Sequence, residues 1–488
     1  MPDSFLGHLT GSDPAAEADR LGAFIDASPT PFHAVAEVAT ALRAAGYVEL
    51  SESERWPRQP GRYFVVRGGS LIAWHSGPTK DPGRPFRILG AHTDSPNLRV
   101  KPRADAARAG WRVLDVEPYG GPLLNSWLDR DLGLAGRVIV RTAEGPEPLL
   151  VTVPRALLRV AQLAIHLDRE ANSGLRLDPQ QHLDPIWGVG TSPGDLYGFL
   201  GKELGVAAQD ITGFELMAYP IEPSCRLGVE RELLAAPRLD NLATTFAGLR
   251  ALLAVSGAAA DQAVDEASTG GAAAANDGSG RDDPDGEPMG GASAPDIGGT
   301  LDLSDPDVPT PVLVLFDHEE VGSVSERGAG STLLPTILER IVLGAGGDRE
   351  DLYRALAGSV VASGDMAHAT HPNYPERHEP QHRITINGGP VLKINQNLRY
   401  ATDAAGAAYF AQACATAGVP MQTYLHRADL PCGSTVGPVT SALTGVTTVD
   451  FGAPQLSMHS ARELCGAYDP AMYTAALAAF LAPTTSGT

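Results

Sequence analysis

Five separate stretches of the sequence place acidic residues or histidines at the end of an apolar run or in a tight turn. They are His92-Thr-Asp94, Asp240-Asn241, Asp317-His-Glu319-Glu320, Asp365-Met-Ala-His368 and Ser457-Met-His459. One such residue alone is weak support for a metal site, because single histidines and aspartates at strand ends are commonly caps or satisfied polar groups. Together they supply the imidazole and carboxylate ligands that divalent metals bind. Their joint occurrence predicts a metal centre.

The residue types fit a centre with two ions. Two divalent ions about 3.5–4 Å apart need a bridging carboxylate and further carboxylate and imidazole ligands for each ion. We expect Asp240 to be the bridge, with His92 and Asp365 on one ion and Glu320 and His459 on the other. Zinc is the first expectation, and cobalt or manganese also suits these ligands.

A hydrolytic site of this kind also needs a carboxylate that binds no metal. Neighbouring side chains point in different directions, so Glu320 can bind an ion while Glu319 stands over the water as general base. Asp94, two residues after His92, is placed to accept the second ring N–H of that histidine and fix its tautomer.

The elements that must position these residues have an α/β pattern. Continuous apolar runs at 86–91 and 312–316 are typical of buried strands, and they end at His92 and Asp317. Helical stripes alternate with further strands toward the carboxyl end of the sequence. This order predicts an α/β fold with a mostly parallel sheet and helices on both faces, which presents chemistry at the carboxyl ends of its strands.

The sequence pattern changes between about residues 104 and 237. Runs of alternating apolar and polar residues and many Gly and Pro residues there indicate a β-rich domain inserted into the α/β domain. We therefore expect a catalytic domain formed by 1–103 and 238–488, with a dimerisation or lid domain at 104–237. Within the catalytic domain, 255–310 is rich in Ala, Gly, Ser, Asp and Pro, with 12 acidic residues and one basic residue between Asp261 and Asp307. Such a segment buries too little apolar surface to order itself, so we predict a disordered insertion.

Bulk properties exclude several classes of protein. The net charge is -21 and no basic patch is visible, which argues against nucleic-acid or anionic-membrane surfaces. No 18-residue apolar run or signal-like amino terminus occurs, and four scattered cysteines form no C-x-x-C pair. We expect a cytoplasmic protein that binds neither nucleic acid nor membrane.

Several longer motifs resemble those of the M18 metallopeptidase family, the aspartyl aminopeptidases. The resemblance covers nearly the whole chain except the acidic insertion. It is carried by His92-Thr-Asp94-Ser-Pro-Asn-Leu-Arg-Val-Lys-Pro, Gly120-Gly-Pro-Leu-Leu-Asn-Ser-Trp127, Ile165-His166-Leu-Asp-Arg, Arg238-Leu-Asp240-Asn, His318-Glu319-Glu320-Val-Gly-Ser, Asp365-Met-Ala-His368-Ala-Thr-His-Pro-Asn-Tyr, Lys393-Ile-Asn with Arg399-Tyr400-Ala-Thr, and Met458-His459-Ser-Ala-Arg-Glu.

This resemblance implies roles that spacing alone does not give. His166 would enter the active site of a neighbouring subunit and stabilise the oxyanion of the reaction. His368, Lys393 and Tyr400 would contact substrate, with the lysine paired to an acidic side chain. The implied assembly is a tetrahedral dodecamer, and the implied substrates are peptides with an acidic N-terminal residue.

The sequence thus predicts a dinuclear aminopeptidase that prefers N-terminal Asp or Glu, with Glu319 as its base. Two alternatives stay open. The metal site does not select the side chain, so a neutral or basic specificity is compatible with the same ligands. A catalytically silent assembly or scaffold protein is the other, although the complete ligand set argues against it.

Overall fold

The computed structural model describes residues 15–257, 301–303, 305 and 307–483. Most of the predicted acidic insertion at 255–310 lies outside these residues. Its described ends are packed: Val255 is buried, and the guanidinium of Arg84 donates to the carbonyl oxygens of Leu303 and Asp305.

The described chain opens with two helices followed by four strands. The hydroxyl oxygen of Thr30 accepts a hydrogen bond from the backbone N–H of His33, and Pro31 supplies the fixed φ that suits a first helical residue. In order, these elements are α1 (Ala16–Ala27), α2 (Pro31–Ala44), β1 (Val48–Glu49), β2 (Gly61–Arg67), β3 (Ser70–Ser76) and β4 (Phe86–His92).

The next part of the chain forms a six-stranded antiparallel sheet with the order β8-β7-β10-β5-β6-β9. The side chains on one face of this sheet and those of the helix at Leu196–Leu204 form a separate hydrophobic core. The elements are β5 (Asn97–Arg108), β6 (Trp111–Tyr119), β7 (Leu132–Arg141), β8 (Pro146–Leu158), α3 (Ala171–Gly174), β9 (Ile186–Val189), α4 (Leu196–Leu204) and β10 (Ile211–Pro220), with 3₁₀ turns at Leu124–Trp127 and Ala208–Asp210.

The remaining chain returns to the first sheet and adds a small third one. Its elements are β11 (Cys225–Leu227), β12 (Leu233–Ala236), α5 (Leu239–Val255), β13 (Thr310–Phe316), α6 (Leu333–Gly344), α7 (Arg349–Gly358), β14 (Val360–Gly364), β15 (Ala367–His368), β16 (Val391–Ile394), α8 (Ala404–Thr416), β17 (Gln422–Leu425), α9 (Val436–Thr444), β18 (Thr447–Gly452), β19 (Pro454–Leu456), β20 (Glu463–Gly466) and α10 (Asp469–Leu481), with 3₁₀ turns at Glu319–Val321 and Pro375–Arg377.

The large sheet has the order β1-β2-β3-β13-β4-β14-β18-β16-β17. Its central strands β13, β4, β14 and β18 are parallel, whereas β3 and β16 pair antiparallel with this block. The predicted fold class, α/β with a mostly parallel sheet, is confirmed.

Strand β13 shows why helices cover both faces. All of its residues are buried, and alternate side chains enter different cores. Leu313 and Leu315 pack with α1, α2, α5, α8 and α10, while Val312 and Val314 pack with α6, α7 and α9. Full burial of each such side chain contributes about 1.5–3 kcal/mol, so both faces help to hold the strand that leads to the site.

The third sheet has the order β11-β12-β20-β19-β15, and its strands β15 and β19 follow shortly after the carboxyl ends of β14 and β18 of the large sheet. It carries Glu463 at the start of β20 and places His459 in the connection from β19 to β20. The domain boundaries at 103/104 and 237/238 stay a prediction, and β5, which begins at Asn97, leads the chain into the antiparallel sheet. In the part of the chain that the structure describes, no helix combines the length and apolar character needed to cross a bilayer.

Candidate metal centre

Two parallel strands deliver the first acidic and imidazole groups to one place. Strands β4 and β13 pair in register, with His92 beside Phe316, so Asp317 and the turn carrying Glu319 and Glu320 follow directly at the same edge. Strand β14 pairs with the other side of β4 and ends at Gly364, one residue before Asp365. The carboxyl ends of neighbouring parallel strands thus supply His92, Glu320 and Asp365, as the sequence pattern indicated, whereas Asp240 and His459 come from the start of α5 and from the connection between β19 and β20.

Asp240 lies between the two histidines. Its Oδ1 is 3.4 Å from His92 Nε2, and its Oδ2 is 3.4 Å from His459 Nε2. On one side, Asp365 Oδ1 is 3.8 Å from His92 Nε2, and on the other, Glu320 Oε2 is 3.5 Å from His459 Nε2. The structure brings together all five residues predicted as ligands, with Asp240 at the centre.

The donor set fits divalent metal ions. Ligand atoms of His92, Asp240 and Glu320 lie within 4.8 Å of one another. Asp240 Oδ1 and Glu320 Oε1 are buried without a hydrogen-bond partner. A buried, unsatisfied polar atom costs about 1–3 kcal/mol, more when charged. Cations between these oxygens and the imidazole nitrogens would satisfy them, and nitrogen with oxygen ligands is a combination that zinc binds.

The electrostatics of the site also favour a cation. Burial disfavours the charged form of His459, but the nearby carboxylates of Asp240 and Glu320 raise the pKa of this histidine to about 10. The pKa of His92 is likewise raised, because Asp240, Asp365 and Asp94 outweigh its burial. In the metal-free protein, protons on these imidazoles therefore offset the clustered negative charge that metal ions would otherwise balance.

Burial raises the pKa of both adjacent glutamates, Glu319 and Glu320. It raises the pKa of Glu319 to about 8, with the charge of His92 opposing this rise and the carboxylates of Asp365, Asp94 and Asp240 adding to it. A bound divalent cation would lower this pKa again, because it stabilises the ionised carboxylate.

Asp94 holds the turn that carries the two glutamates. Its carboxylate accepts hydrogen bonds from the backbone N–H groups of Glu319 (3.1 Å) and Glu320 (3.2 Å) and from the hydroxyl of Tyr119 (2.7 Å). The second ring nitrogen of His92 lies 2.9 Å from the carbonyl oxygen of Asp94 and 3.5 Å from its carboxylate. Asp94 therefore lies against the second ring nitrogen of His92, and its carbonyl oxygen is closer to that nitrogen than its carboxylate.

Lys393 is buried beside the centre with its ammonium fully engaged. It donates to the carbonyl (3.2 Å) and carboxylate (3.2 Å) oxygens of Asp365 and to the carbonyl of Met366 (3.0 Å), and it lies 4.7 Å from the ring centroid of the buried Tyr400. An ammonium has three N–H donors, so these bonds use all of them. In this geometry Lys393 orients Asp365.

The other two residues predicted to contact substrate are solvent-exposed. His368, on β15, packs its ring against those of Tyr424 (6.0 Å) and His426 (6.4 Å). His166 lies in the exposed segment between β8 and α3. Among the described residues, no hydrogen bond or ion pair links His166 to the five ligands.

Sequence reasoning missed two residues that support the ligands. Tyr119 donates to Asp94, and nothing in its sequence context indicated this. Glu463 accepts hydrogen bonds from the backbone N–H groups of Asp240 and His459. Glu463 belongs to the Met458–Glu463 motif, so its position was visible in the sequence while its role was not.

Known proteins are similar to this one over most of the chain. The family model described as Aminopeptidase I zinc metalloprotease (M18) matches residues 24–269 and 299–481. The probable M18 family aminopeptidase 2 of Mycobacterium tuberculosis strain H37Rv is 52% identical over 471 residues, which cover 96% of this chain and 98% of the relative. A protein of the same name from Streptomyces coelicolor is 48% identical over 468 residues, covering 95% and 97%.

Solved structures share the fold. Ape4, in the cryo-EM structure of the Ape4 and Nbr1 complex, is 34% identical with a TM-score of 0.83, over 96% of this chain and 86% of that one. The S. cerevisiae mApe1 dodecamer is 25% identical with a TM-score of 0.74, over 95% of each chain.

Proposed function

The chain belongs to the M18 family of zinc metalloproteases, and from this membership we propose that it is a dinuclear aminopeptidase that removes aspartate or glutamate from the N-termini of peptides. The family resemblance carried by the sequence motifs is confirmed. The observation that carries the dinuclear proposal is the placement of Asp240, whose two carboxylate oxygens face different histidines.

Five residues would hold the ions. His92 and Asp365 would bind one, Glu320 and His459 the other, and Asp240 both. When bound, two zinc ions would polarise the scissile carbonyl and lower the pKa of water at the site. Cobalt and manganese accept the same ligands, so zinc is proposed from the family description.

Glu319 would act as general base and then as general acid. Its carboxylate would accept a proton from the attacking water and pass it to the amine nitrogen as the peptide C–N bond breaks. Such proton transfer contributes about 10²- to 10⁴-fold in rate. The hydrogen bond from its backbone N–H to Asp94 keeps the base in place, so Asp94 supports this step through the backbone.

The preference for an acidic N-terminal residue rests on the family resemblance, because the ammonium of Lys393 is engaged by Asp365 and Met366. The side chain of His368 is exposed, but desolvation by the surrounding protein and the charge of Lys393 lower the pKa of this histidine to about 4. It would therefore meet a substrate carboxylate as a neutral N–H donor, whereas Lys393 would first have to give up one of its three hydrogen bonds. The second candidate function is the same hydrolysis with a preference for neutral or basic N-terminal residues. It is favoured by Lys393, whose three donors are already bound within the protein.

We also propose a homo-oligomer in which His166 of one subunit reaches the centre of another. Support comes from the exposure of His166 and from the dodecameric S. cerevisiae neighbour. A tetrahedral dodecamer is the proposed assembly.

A panel of aminoacyl substrates tests the proposed reaction and its specificity. Protein loaded with two equivalents of zinc should hydrolyse Asp and Glu substrates faster than Leu, Ala or Lys substrates, and chelation should abolish the activity. Hydrolysis confined to Leu or Lys substrates would reject the acidic preference and select the second candidate. Stoichiometric zinc without hydrolysis of any substrate would instead favour a silent scaffold.

A further inference from the structure

We infer that Glu463 is a positioning residue of the metal centre, whose buried carboxylate fixes two metal ligands from different elements through their backbone N–H groups. The inference rests on the proposed dinuclear function. It assigns to Glu463 no contact with metal or substrate.

The hydrogen bonds of Glu463 are divided between the two ligands. Its Oε2 accepts from the backbone N–H of Asp240 at 3.0 Å, and its Oε1 accepts from that of His459 at 2.7 Å. The side-chain amide of Gln455 donates to the same Oε1 at 3.3 Å. One carboxylate therefore ties the start of α5 to the connection between β19 and β20.

Neither ligand is held by regular secondary structure at its own position. Asp240 lies in the first turn of α5 with non-helical dihedral angles (φ -83°, ψ 104°), and the first N–H groups of a helix have no partner within it. His459 has a left-handed φ of 66° in its turn. Because regular pairing supplies no acceptor to these N–H groups, the oxygens of Glu463 hold them, while the carbonyl oxygens of the same two residues accept from Ser95 and Leu123.

The chemistry of the position requires a carboxylate. Glu463 is only 2% exposed, and no ion pair formed within the described residues includes it. Burying a glutamate without a basic partner is costly and uncommon. The two oxygens of Glu463 accept from different backbone N–H groups, whereas the amide of glutamine offers one acceptor oxygen and an NH₂ group that would oppose the second N–H.

A second buried carboxylate, that of Asp94, also holds backbone N–H groups at the centre. The carboxylate of Asp94 accepts from the backbone N–H groups of Glu319 and Glu320. All three residues proposed to hold the second ion, Asp240, Glu320 and His459, are thus fixed by a buried carboxylate that binds their backbone. Loss of Glu463 frees two of the three, so this ion should be the one released first.

The test is a zinc competition titration of Glu463→Gln against a chromophoric chelator, beside wild type and Asp469→Asn. Asp469 is a matched control, because its buried carboxylate also accepts from backbone N–H groups, those of Asn387 (2.7 Å) and Gly389 (3.1 Å), and neither of these is a proposed ligand. We expect Glu463→Gln to raise the dissociation constant of the weaker ion by about 10- to 100-fold and Asp469→Asn to leave it within about twofold.

Excess zinc should restore most of the turnover of Glu463→Gln, because the groups that carry out the reaction are retained. Unchanged zinc affinity in Glu463→Gln would overturn the inference, and so would an equal loss in Asp469→Asn, which would mark the effect as general destabilisation. If Glu463→Gln does not fold, Glu463→Asp serves in its place: its shorter carboxylate reaches one N–H at a time, and wild-type affinity in it would also overturn the inference. The same titration also tests the proposed function separately. If the wild-type protein binds fewer than two zinc ions, the dinuclear function itself is refuted.

Discussion

A carboxylate can bridge two metal ions only if each oxygen faces a different set of ligands. Asp240 meets this condition, with His92 at one oxygen and His459 at the other. The adjacent Glu319 and Glu320 also differ in position. Glu320 lies 3.5 Å from His459 and offers a ligand atom close to those of His92 and Asp240, whereas Glu319 does not belong to that group among the described residues. The positions of these side-chain atoms are the basis for proposing Asp240 as the bridge, Glu320 as a ligand and Glu319 as the base.

Lys393 offers a prediction at this scale. Replacement by methionine removes the three donors to Asp365 and Met366 and leaves the Asp365 carboxylate without its cationic partner. We expect zinc affinity to fall by about 10- to 100-fold, as for other groups that orient a metal ligand, while the ratio of kcat/KM for Asp over Leu substrates changes little once zinc is saturating. Competition titration and substrate kinetics measure the two effects. A collapse of the Asp/Leu ratio with unchanged zinc affinity would show that the lysine reads the substrate instead.

The residues that could be named from the sequence are those with distinctive types at strand ends. His92, Asp365 and the Glu319-Glu320 pair follow apolar runs, and that pattern has a physical reason. Tyr119 and Glu463 could not be given roles, because their partners are another side chain or backbone N–H groups brought near only by the fold. No spacing in a sequence encodes a hydrogen bond to the backbone of a residue 223 positions away.

At the scale of elements, the register of β4 and β13 explains how His92 and Glu319 meet, and both strands were predictable as apolar runs. Helix α5 was not predicted. Nearly all of its residues are buried, so its sequence is apolar on all sides and has no stripe of 3.6-residue period. Asp240 accordingly proved to lie in the first turn of a helix, where only a turn or strand end had been expected.

His33 gives an element-scale prediction, because it links α2 to β8. Its ring nitrogens lie 2.7 Å from the hydroxyl of Thr30 and 2.8 Å from that of Thr152, and burial, helped by the charge of Arg238, lowers its pKa to about 4. The unfolded chain titrates near 6.5, so between pH 6.5 and 4 it binds a proton that the folded protein does not. Stability from this residue is therefore complete above pH 6.5 and falls by about 1.4 kcal/mol per pH unit below it.

Denaturant unfolding at pH 6.5 and pH 5 measures this effect. Wild type should lose about 2 kcal/mol more than His33→Gln over that interval, whereas replacement of the exposed His182 by glutamine should preserve the wild-type slope. Identical slopes for wild type and His33→Gln would refute the assignment.

At the scale of the whole molecule, the segment around His166 presents unusual apolar surface. Leu167 is 75% exposed, Leu163 57% and Ile165 46%, and a contiguous exposed apolar patch commonly marks an interface. We expect Leu167→Asp to dissociate the proposed oligomer and lower kcat with zinc content unchanged, because His166 would no longer reach a neighbouring centre. Val48→Asp, at another exposed apolar site, is the control. Light scattering that shows the same mass for Leu167→Asp and wild type would contradict the proposed role of this segment.

The central claim for the molecule is that two adjacent glutamates do different work in one dinuclear centre. The direct measurement is zinc content by elemental analysis together with kcat, on Glu319→Gln and Glu320→Gln side by side. The account predicts that Glu319→Gln keeps two zinc ions per subunit and loses about 10²- to 10⁴-fold in kcat, whereas Glu320→Gln loses one of the two ions. Retained turnover in Glu319→Gln, or loss of zinc from that variant, would contradict it.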